Sequence, residues 1–419
     1  MRKKVSFYTY GCKLNQYETQ GMAELLKDDY DVSFKGENAD IFIFNSCTVT
    51  AEAERKLRQN YRSLKKKNEN AYFVVTGCYS QLDKQQFEKL GFDIVLGVNE
   101  KTNIFKYIEK GSFSTHDTGF FSVLNYQNDH TRAFIGIQDG CLNACAYCRI
   151  RLARGNKIKS KPVKSIFNEV NSLVKKGYKE IVLTGINILY YGREKDTNIL
   201  DLLKELDKIE GDFRIRLSSL DPKLLNYKTI DYILENDRIA DHFHLSLQSG
   251  SDEVLKNMNR QYSTDDFLNI VEYCRKEDRR FSFTTDVIVG FPGESDKNFS
   301  ETVDFIRRVK FLKIHIFKFS PRKGTPAYGF EKKIDPVLKK ERAHILKNKA
   351  EETKRDFLKD NINCVSRVLI ETSEGNYSRG YDQYYIYHYL KGDFDSNNFI
   401  NVKIQKIYKN GVNSNEKLF

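Results

Sequence analysis

Gly140-Cys141-Leu142-Asn143-Ala144-Cys145-Ala146-Tyr147-Cys148 sets three thiols at C-x3-C-x2-C spacing, close enough for one short loop to aim all three at a single metal centre. Iron–sulfur cubanes are held by cysteine thiolates and normally take four. Only three are local here, and no nearby Cys or His completes the set. Two metal readings remain: an incomplete zinc site, or a cubane with one open iron. A structural zinc site closes its tetrahedron, usually with a second paired ligand set in the sequence, and none follows. The spacing therefore favours the open cubane, both over zinc and over three unrelated buried cysteines.

Around this loop the chain alternates strand and helix patterns. Strands are expected at 134–138, 180–184, 213–217, 242–247, 282–288 and 312–318, with helices near 165–176, 199–207, 222–235, 252–278 and 296–309. Six such units predict a partial TIM-like (β/α)6 barrel, whose catalytic groups belong at the carboxyl ends of the strands. The cysteine loop sits there, after the first strand. Thr184-Gly185-Ile186-Asn187 ends the second strand, and Gly185 lets backbone approach a ligand closely. A plain β-to-α turn explains Asn187 equally well. Ser218 and Ser219 end the third strand and Gln248-Ser249-Gly250 the fourth. The run from Asp286 through Ile288 and Gly290 to Glu294 breaks into a Gly-Phe-Pro-Gly turn at a strand end. Cys274 lies on a helix pattern without a partner and reads as structural. His242, His244 and His315 lie in strands and are assigned no role.

The amino-terminal third alternates in the same way, with strands at 5–9, 41–45, 71–76 and 92–96 and helices at 17–26, 51–66 and 80–90, arguing a small parallel α/β sheet with helices on its faces. Ligands of such sheets bind outside the carboxyl ends of the strands. Cys12, Cys47 and Cys78 each follow a strand directly, so they are expected to converge as a second three-thiolate site. Three separate buried thiols are the alternative. Between about 111 and 131 the periodicity fades into a linker. At the other end Asp335-Pro336 starts a charged helix running to about 359. Strand-like runs at 365–371, 381–390 and 399–407 follow, enough for a small β-barrel. In Tyr381 to Leu390, tyrosines 385, 387 and 389 share one face, and aromatics beside Lys and Arg can stack bases. Packing inside a small barrel explains most of them equally well.

Composition bounds the class. At 419 residues the chain has room for about three domains. Forty percent hydrophobic and 30% charged residues describe an ordinary soluble protein. No stretch approaches ~20 apolar residues and no signal-peptide core follows Met1, so a cytoplasmic protein without a membrane is expected. Eight cysteines are too few for a disulfide scaffold in a chain this long. A net charge of +12 favours a polyanionic partner, with a solubilising surface as the bland reading.

The three-cysteine loop, with Tyr147 before its last thiol, resembles the signature of the radical S-adenosylmethionine (SAM) enzymes. In that family the open iron chelates the amino and carboxylate groups of SAM, and an electron from the cubane cleaves the sulfonium to a 5′-deoxyadenosyl radical. The segments around Cys12, Cys47 and Cys78 resemble the methylthiotransferase amino-terminal domain, whose three cysteines bind an auxiliary cluster used in sulfur insertion. Leu247 to Asp252 and Ser320 to Thr325 also resemble methylthiotransferase segments.

The resemblance implies two [4Fe-4S] clusters, on Cys141, Cys145 and Cys148 and on Cys12, Cys47 and Cys78. It implies SAM contacts at Gly185, Asn187, Ser218, Gln248, Ile288 and Gly290, with no side chain assigned as catalytic. It implies four segments: an auxiliary-cluster domain (1–112), a linker (113–130), a radical-SAM core (131–358) and a TRAM-like tRNA-binding β-barrel (359–419). Implied partners are tRNA, an external electron donor such as flavodoxin or ferredoxin, and a sulfide source.

Tyr10-Gly11-Cys12-Lys13-Leu14-Asn15-Gln16-Tyr17-Glu18-Thr19 and His130 to Phe134 look most like the branch acting on N6-threonylcarbamoyladenosine next to the tRNA anticodon. Isopentenyladenosine, a ribosomal-protein aspartate, or a non-catalytic metal-bearing RNA-binding protein are the alternatives. Related enzymes place Ile-Ile-Pro after the third cysteine, where this chain has Arg149-Ile150-Arg151. Arg149, Arg151 and Arg154 are thus candidate partners for the carboxylate of a threonylcarbamoyl group.

Overall fold

The computed structural model describes residues 2–109, 119–125 and 131–416. The amino-terminal sheet is parallel, in the order β2-β1-β3-β4-β5, built from β1 (Lys4–Thr9), β2 (Asp31–Phe34), β3 (Ile41–Ser46), β4 (Tyr72–Gly77) and β5 (Ile94–Val95). β3 is buried along its whole length, as its unbroken apolar run demands of a strand covered on both faces. β2 is a short edge strand, and its half-exposed Asp-Val-Ser-Phe carries too little pattern to be read as one. The helices are α1 (Lys13–Leu26), α2 (Ala51–Lys67), α3 (Cys78–Leu82), α4 (Lys84–Leu90) and α5 (Ile104–Glu109). The single helix expected over 80–90 is two, parted at Asp83, whose backbone leaves the helical region.

The second unit is the expected partial barrel, its six expected strands joined by two short ones of two residues each. Its strands run as β7-β6-β8-β9 and β10-β11-β12-β13: β6 (Arg132–Asp139), β7 (Lys159–Ser160), β8 (Glu180–Gly185), β9 (Arg214–Leu217), β10 (Ser219–Leu220), β11 (His242–Leu245), β12 (Ser282–Val289) and β13 (Lys313–Lys318). A parallel bridge between Ile215 and Ile239 joins the two runs. α6 (Ile150–Arg154), α7 (Val163–Lys175), α8 (Ile199–Asp207), α9 (Tyr227–Leu234), α10 (Asp252–Asn257), α11 (Thr264–Glu277) and α12 (Asp296–Val309) connect the strands. The long helix expected at 252–278 is broken, because Asn259 takes a left-handed φ of 57°.

α1 joins the two units. Its Leu14 and Tyr17 share one apolar core with Ile135 and Ile137 of β6, and Gly136 is glycine because a Cβ there would sit 2.5 Å from the Tyr17 ring. Residues 119–125 are more than a linker: Phe121 and Val123 are buried, and the Tyr17 hydroxyl donates to the Phe121 carbonyl at 2.6 Å. The rest of 113–130 and the motif residue His130 lie outside the described residues.

After α13 (Pro336–Asp360) comes a closed β-barrel ordered β14-β15-β16-β18-β17, from β14 (Val365–Glu374), β15 (Tyr377–Tyr381), β16 (Tyr387–Lys391), β17 (Phe399–Tyr408) and β18 (Gly411–Glu416). The continuous strand expected over 381–390 does not form. Asp382 accepts from the Ile386 N–H at 2.8 Å, and Tyr385 takes a φ of 66°. This turn aims Tyr385 at the larger barrel, its ring 4.8 Å from that of His242.

The small barrel docks on the amino ends of the larger barrel's strands. Arg214 donates to the carbonyls of Arg367 and Tyr381, both at 3.2 Å, and Arg216 to that of Asp382 at 3.1 Å. Arg280 reaches the Val365 carbonyl and the Ser366 hydroxyl, each at 2.7 Å. The carboxyl ends of the strands are left to the cysteine loops.

Candidate active site

Cys12 is the residue before α1, Cys47 follows β3 and Cys78 opens α3 after β4. Two glycines bring the loops together. A Cβ on Gly11 (φ 101°) would lie 2.5 Å from both Cβ and Sγ of Cys47, and one on Gly77 (φ 109°) would lie 2.3 Å from the Ser46 carbonyl. Asn15 Nδ2 staples the loops, donating to the carbonyls of Tyr10 (2.9 Å) and Ser46 (3.0 Å). Cys47 and Cys78 are buried and Cys12 is exposed at the mouth. Burial, reinforced by neighbouring Cys12, pushes the Cys47 thiol up to about 12.

The second set lies on the loop between β6 and α6. Ala146 N–H donates to the Met258 carbonyl at 2.9 Å and Cys148 N–H to that of Cys145 at 3.1 Å. Asn143 donates to Asp221 and accepts from the Tyr190 hydroxyl, both at 2.6 Å. Arg260 reaches Cys145 Sγ and Asp221 Oδ2, both at 3.1 Å. A cavity of about 400 Å³ opens here, lined in part by Asn143, Cys145, Tyr190, Asp221 and Arg260. Burial, with Cys145 adding to it, pushes the Cys148 thiol up to about 12. Binding a metal at either set therefore releases protons.

Arg154, at the end of α6, ties the two sets together. Its Nε–H donates to Cys78 Sγ at 3.2 Å. Its Nη1 reaches Glu18 at 2.7 Å and Asp139 at 3.1 Å, and its Nη2 reaches Asn15 at 3.0 Å. One guanidinium thus contacts a ligand candidate of the first set, the residue stapling that set, and the strand end that launches the second.

Thiolates on one tetrahedral zinc, with Zn–S of about 2.3 Å, stand roughly 3.8 Å apart. Among the described residues the His, Cys, Asp and Glu trio whose ligand atoms lie within 4.8 Å of one another is His244, Asp286 and His315. Each cysteine set brings three free thiols, the donor type that holds iron–sulfur cubanes, whereas a closed structural zinc site takes four ligands.

The Radical SAM superfamily profile matches residues 135–306, and one described as Uncharacterized protein family UPF0004 matches 4–97. Threonylcarbamoyladenosine tRNA methylthiotransferase MtaB of Thermotoga maritima is 41% identical over 98% of this chain and 96% of its own. The Bacillus subtilis protein of the same name is 36% identical over 99% and 96%. This chain belongs to the radical-SAM methylthiotransferase family. tRNA-2-methylthio-N(6)-dimethylallyladenosine synthase of Alkaliphilus oremlandii is 34% identical over 88% of this chain and 82% of its own. Among solved structures, the radical S-adenosylmethionine methyltransferase TsrM from Kitasatospora setae overlays with a TM-score of 0.54 at 14% identity, covering 78% of this chain and 77% of that one. That likeness is one of fold.

The residues expected to touch SAM sit at carboxyl ends of the methylthiotransferase barrel, in different states. Ser218 Oγ is buried without a hydrogen bond among the described residues. Gln248 is buried with a φ of 67°, and its backbone pairs with that of Asp286 and Ile288. Asn187 spends its side chain on a cap, accepting from Leu189 N–H at 3.3 Å. Gly185 packs on Gln138, a Cβ there lying 2.8 Å from its carbonyl. The left-handed Gly290 makes room for Lys339 of α13. Ile288 packs in one cluster with Ala146 and Tyr147 of the cysteine loop.

The departure at 149–151 also has a physical reason. Arg149 pairs with Asp83 at 2.7 Å and donates to Thr48 at 3.2 Å, while Arg322 holds Glu54 at 2.9 Å and the Thr48 carbonyl at 2.7 Å. Arg149 and Arg154 are therefore committed to side chains of this protein. The Arg151 side chain makes no hydrogen bond or ion pair among the described residues. Arg154, expected to face substrate, instead bridges the two thiol sets, while Arg260 and Asp221 do not stand out in the sequence, Arg260 because it falls within a stretch that reads as uninterrupted helix.

Proposed function

We propose that this chain replaces the C2–H of N6-threonylcarbamoyladenosine, next to the anticodon of tRNA, with C–S–CH3. The observation that carries the reading is the pair of three-thiol sets on separate units, locked into one hydrogen-bonded arrangement by Arg154. Cleavage of SAM alone needs one set. The relatives named for threonylcarbamoyladenosine, at 36–41% identity over nearly the whole chain, support the substrate. When bound, a [4Fe-4S] cluster on Cys141, Cys145 and Cys148 supplies the electron that cleaves SAM, and one on Cys12, Cys47 and Cys78 supplies the site where sulfur is methylated and delivered.

The chain's own residues do the rest. Arg154 fixes the relative position of the two sets, and Arg260 and Asp221 hold the core loop from the opposite side. Ser218 and Gln248 offer unspent polar groups to SAM, with Gly185, Asn187, Ile288 and Gly290 forming the surrounding backbone. We take residues 1–112 as the auxiliary-cluster domain, 113–130 as the connection, 131–358 as the radical-SAM core and 359–419 as the RNA-docking barrel. An external donor such as flavodoxin or ferredoxin and a sulfide source complete the cycle. A cytoplasmic enzyme follows from a tRNA substrate. No helix among the described residues is long and apolar enough to cross a membrane.

The relative named for dimethylallyladenosine supports a second reading, with that nucleoside as substrate. Nucleoside analysis of tRNA from cells lacking the protein separates the two. Loss of the 2-methylthio form of threonylcarbamoyladenosine alone supports the first reading, and loss of the isopentenyl form supports the second.

A further inference from the structure

The small barrel, and the tyrosine-lined cavity of about 570 Å³ between it, β13 and α13, stand at the amino ends of the core strands, away from the thiol sets. A different charged surface begins beside the thiols themselves. Over residues 55–67 of α2 there are seven Lys and Arg and no Asp or Glu. α2 opens four residues after Cys47, and its Arg58 donates to the hydroxyl of Tyr79, the residue after Cys78, at 2.7 Å. The amino-terminal half of α2 therefore adjoins the Cys12, Cys47 and Cys78 set.

Leu57, Tyr61 and Leu64 turn one side of α2 into the apolar core, so the helix keeps no apolar face for a membrane. Arg55, Arg58, Arg62 and Lys66, three or four residues apart, form a row on the other side, exposed but for the half-buried Arg58. The row is about 16 Å long at the rise of an α-helix. Two open hollows lie along it. One of about 410 Å³ is lined by Arg55, Arg58, Gln59 and Arg62. The other, of about 500 Å³, is lined in part by Arg62, Lys65, Lys66 and one acid, Glu69.

Few carboxylates answer this charge. Glu52 pairs with Arg55 and Glu37 with Lys67, both at 2.7 Å, while Glu54 is turned to Arg322. Among the described residues the side chains of Arg62 and Lys66 make no hydrogen bond or ion pair. Lys65, Lys66 and Lys67 in the last turn complement the helix dipole, but Arg58 and Arg62 lie mid-helix and gain nothing from it. Like charges three or four residues apart repel and weaken their own helix. A surface that serves solubility alone mixes its signs, whereas a single-sign row matches a polyanion.

We propose that the α2 row is a second RNA-docking surface, on the auxiliary-cluster domain, that holds backbone phosphates of the tRNA strand leading to the target base. The proposal rests on the reading of tRNA as substrate. Arg62 and Lys66 are the cations free to pair with phosphate, and the hollows between them and their neighbours admit the ribose-phosphate strand. Such contacts fix register and orientation and read no sequence. The row holds RNA at the reacting end, and the small barrel holds it at the other.

The test measures binding of tRNA carrying N6-threonylcarbamoyladenosine to the reconstituted full-length protein across a salt series. Arg62→Gln together with Lys66→Gln should weaken binding and flatten the slope of log affinity against log salt by about one unit per residue, with about eight irons retained. Arg62→Lys together with Lys66→Arg should keep the parent slope. So should Lys208→Gln together with Lys297→Gln, an equal loss of charge from exposed lysines outside the row. An unchanged slope in the first pair overturns the proposal. So does an equal flattening in the Lys208 and Lys297 pair, a flattening in the charge-keeping pair, or one that follows loss of iron. If the parent protein binds no tRNA, the reading of tRNA as substrate itself fails.

Discussion

The Nε–H of Arg154 lies 3.2 Å from Sγ of Cys78, although the two residues are 76 positions apart and belong to different units of the fold. The same side chain is buried against Glu18 and Asp139. Removing one member of a buried charge cluster strands the others, at about 3–5 kcal/mol. Arg154→Leu should lower unfolding stability by that order in urea titrations; Glu18 keeps Lys101 as a partner, so the carboxylate left over is Asp139, and Asp139→Asn in the same chain should recover part of the loss. A double variant no more stable than Arg154→Leu would show that Asp139 is not the stranded charge.

The two thiol sets are expected to load independently. Reconstituted under anaerobic conditions, the protein should carry about eight irons. Substituting Cys12, Cys47 and Cys78 together by Ala should halve that number and abolish methylthiolation, while 5′-deoxyadenosine release continues. Full iron retention in the triple variant would remove the amino-terminal site from the account.

Asp241, preceding β11, gives a pH dependence. Burial, aided by Asp278 and Asp382, pushes its carboxyl up to about 7. An acid whose folded value is raised stabilises the fold below its unfolded value, near 4, and loses that contribution as pH rises through about 7. Asp241→Asn should therefore match the parent near pH 4 and melt higher at pH 8, by on the order of 2–4 °C. An equal gain at both pH values would place the effect elsewhere.

RNA docking is best probed by point changes. Ending the chain near Asp360 would strip acceptors from Arg214, Arg216 and Arg280 and expose their charges at the base of the core. Lys347 and Lys354 line the tyrosine cavity. Substituting both by Ala should weaken tRNA binding and flatten its dependence on log salt by about one unit per lysine. An unchanged slope would show that neither lysine meets phosphate.

Much of this arrangement was legible from local pattern. The helix at 199–207 carries its own capping box on Asn198 and Asp201 and forms over that span. The core strands at 134–138, 180–184 and 282–288 and the strands before Cys12 and Cys78 follow from largely apolar runs closed by glycine. What escaped reading depends on single backbone angles or distant partners. Asn259 and Tyr385, both left-handed without being glycine, break elements whose side-chain pattern looks continuous. Arg149, Arg154 and Arg322 look like spare cations until Asp83, Glu18 and Glu54, each more than 60 residues away, fold onto them.

The substrate assignment is tested most directly by giving the reconstituted enzyme SAM, a sulfide source, a reductant and tRNA carrying either N6-threonylcarbamoyladenosine or isopentenyladenosine, then weighing the digested nucleosides. The account predicts a mass gain matching replacement of hydrogen by SCH3 on threonylcarbamoyladenosine alone. Methylthiolation of isopentenyladenosine with the threonylcarbamoyl form untouched would contradict it.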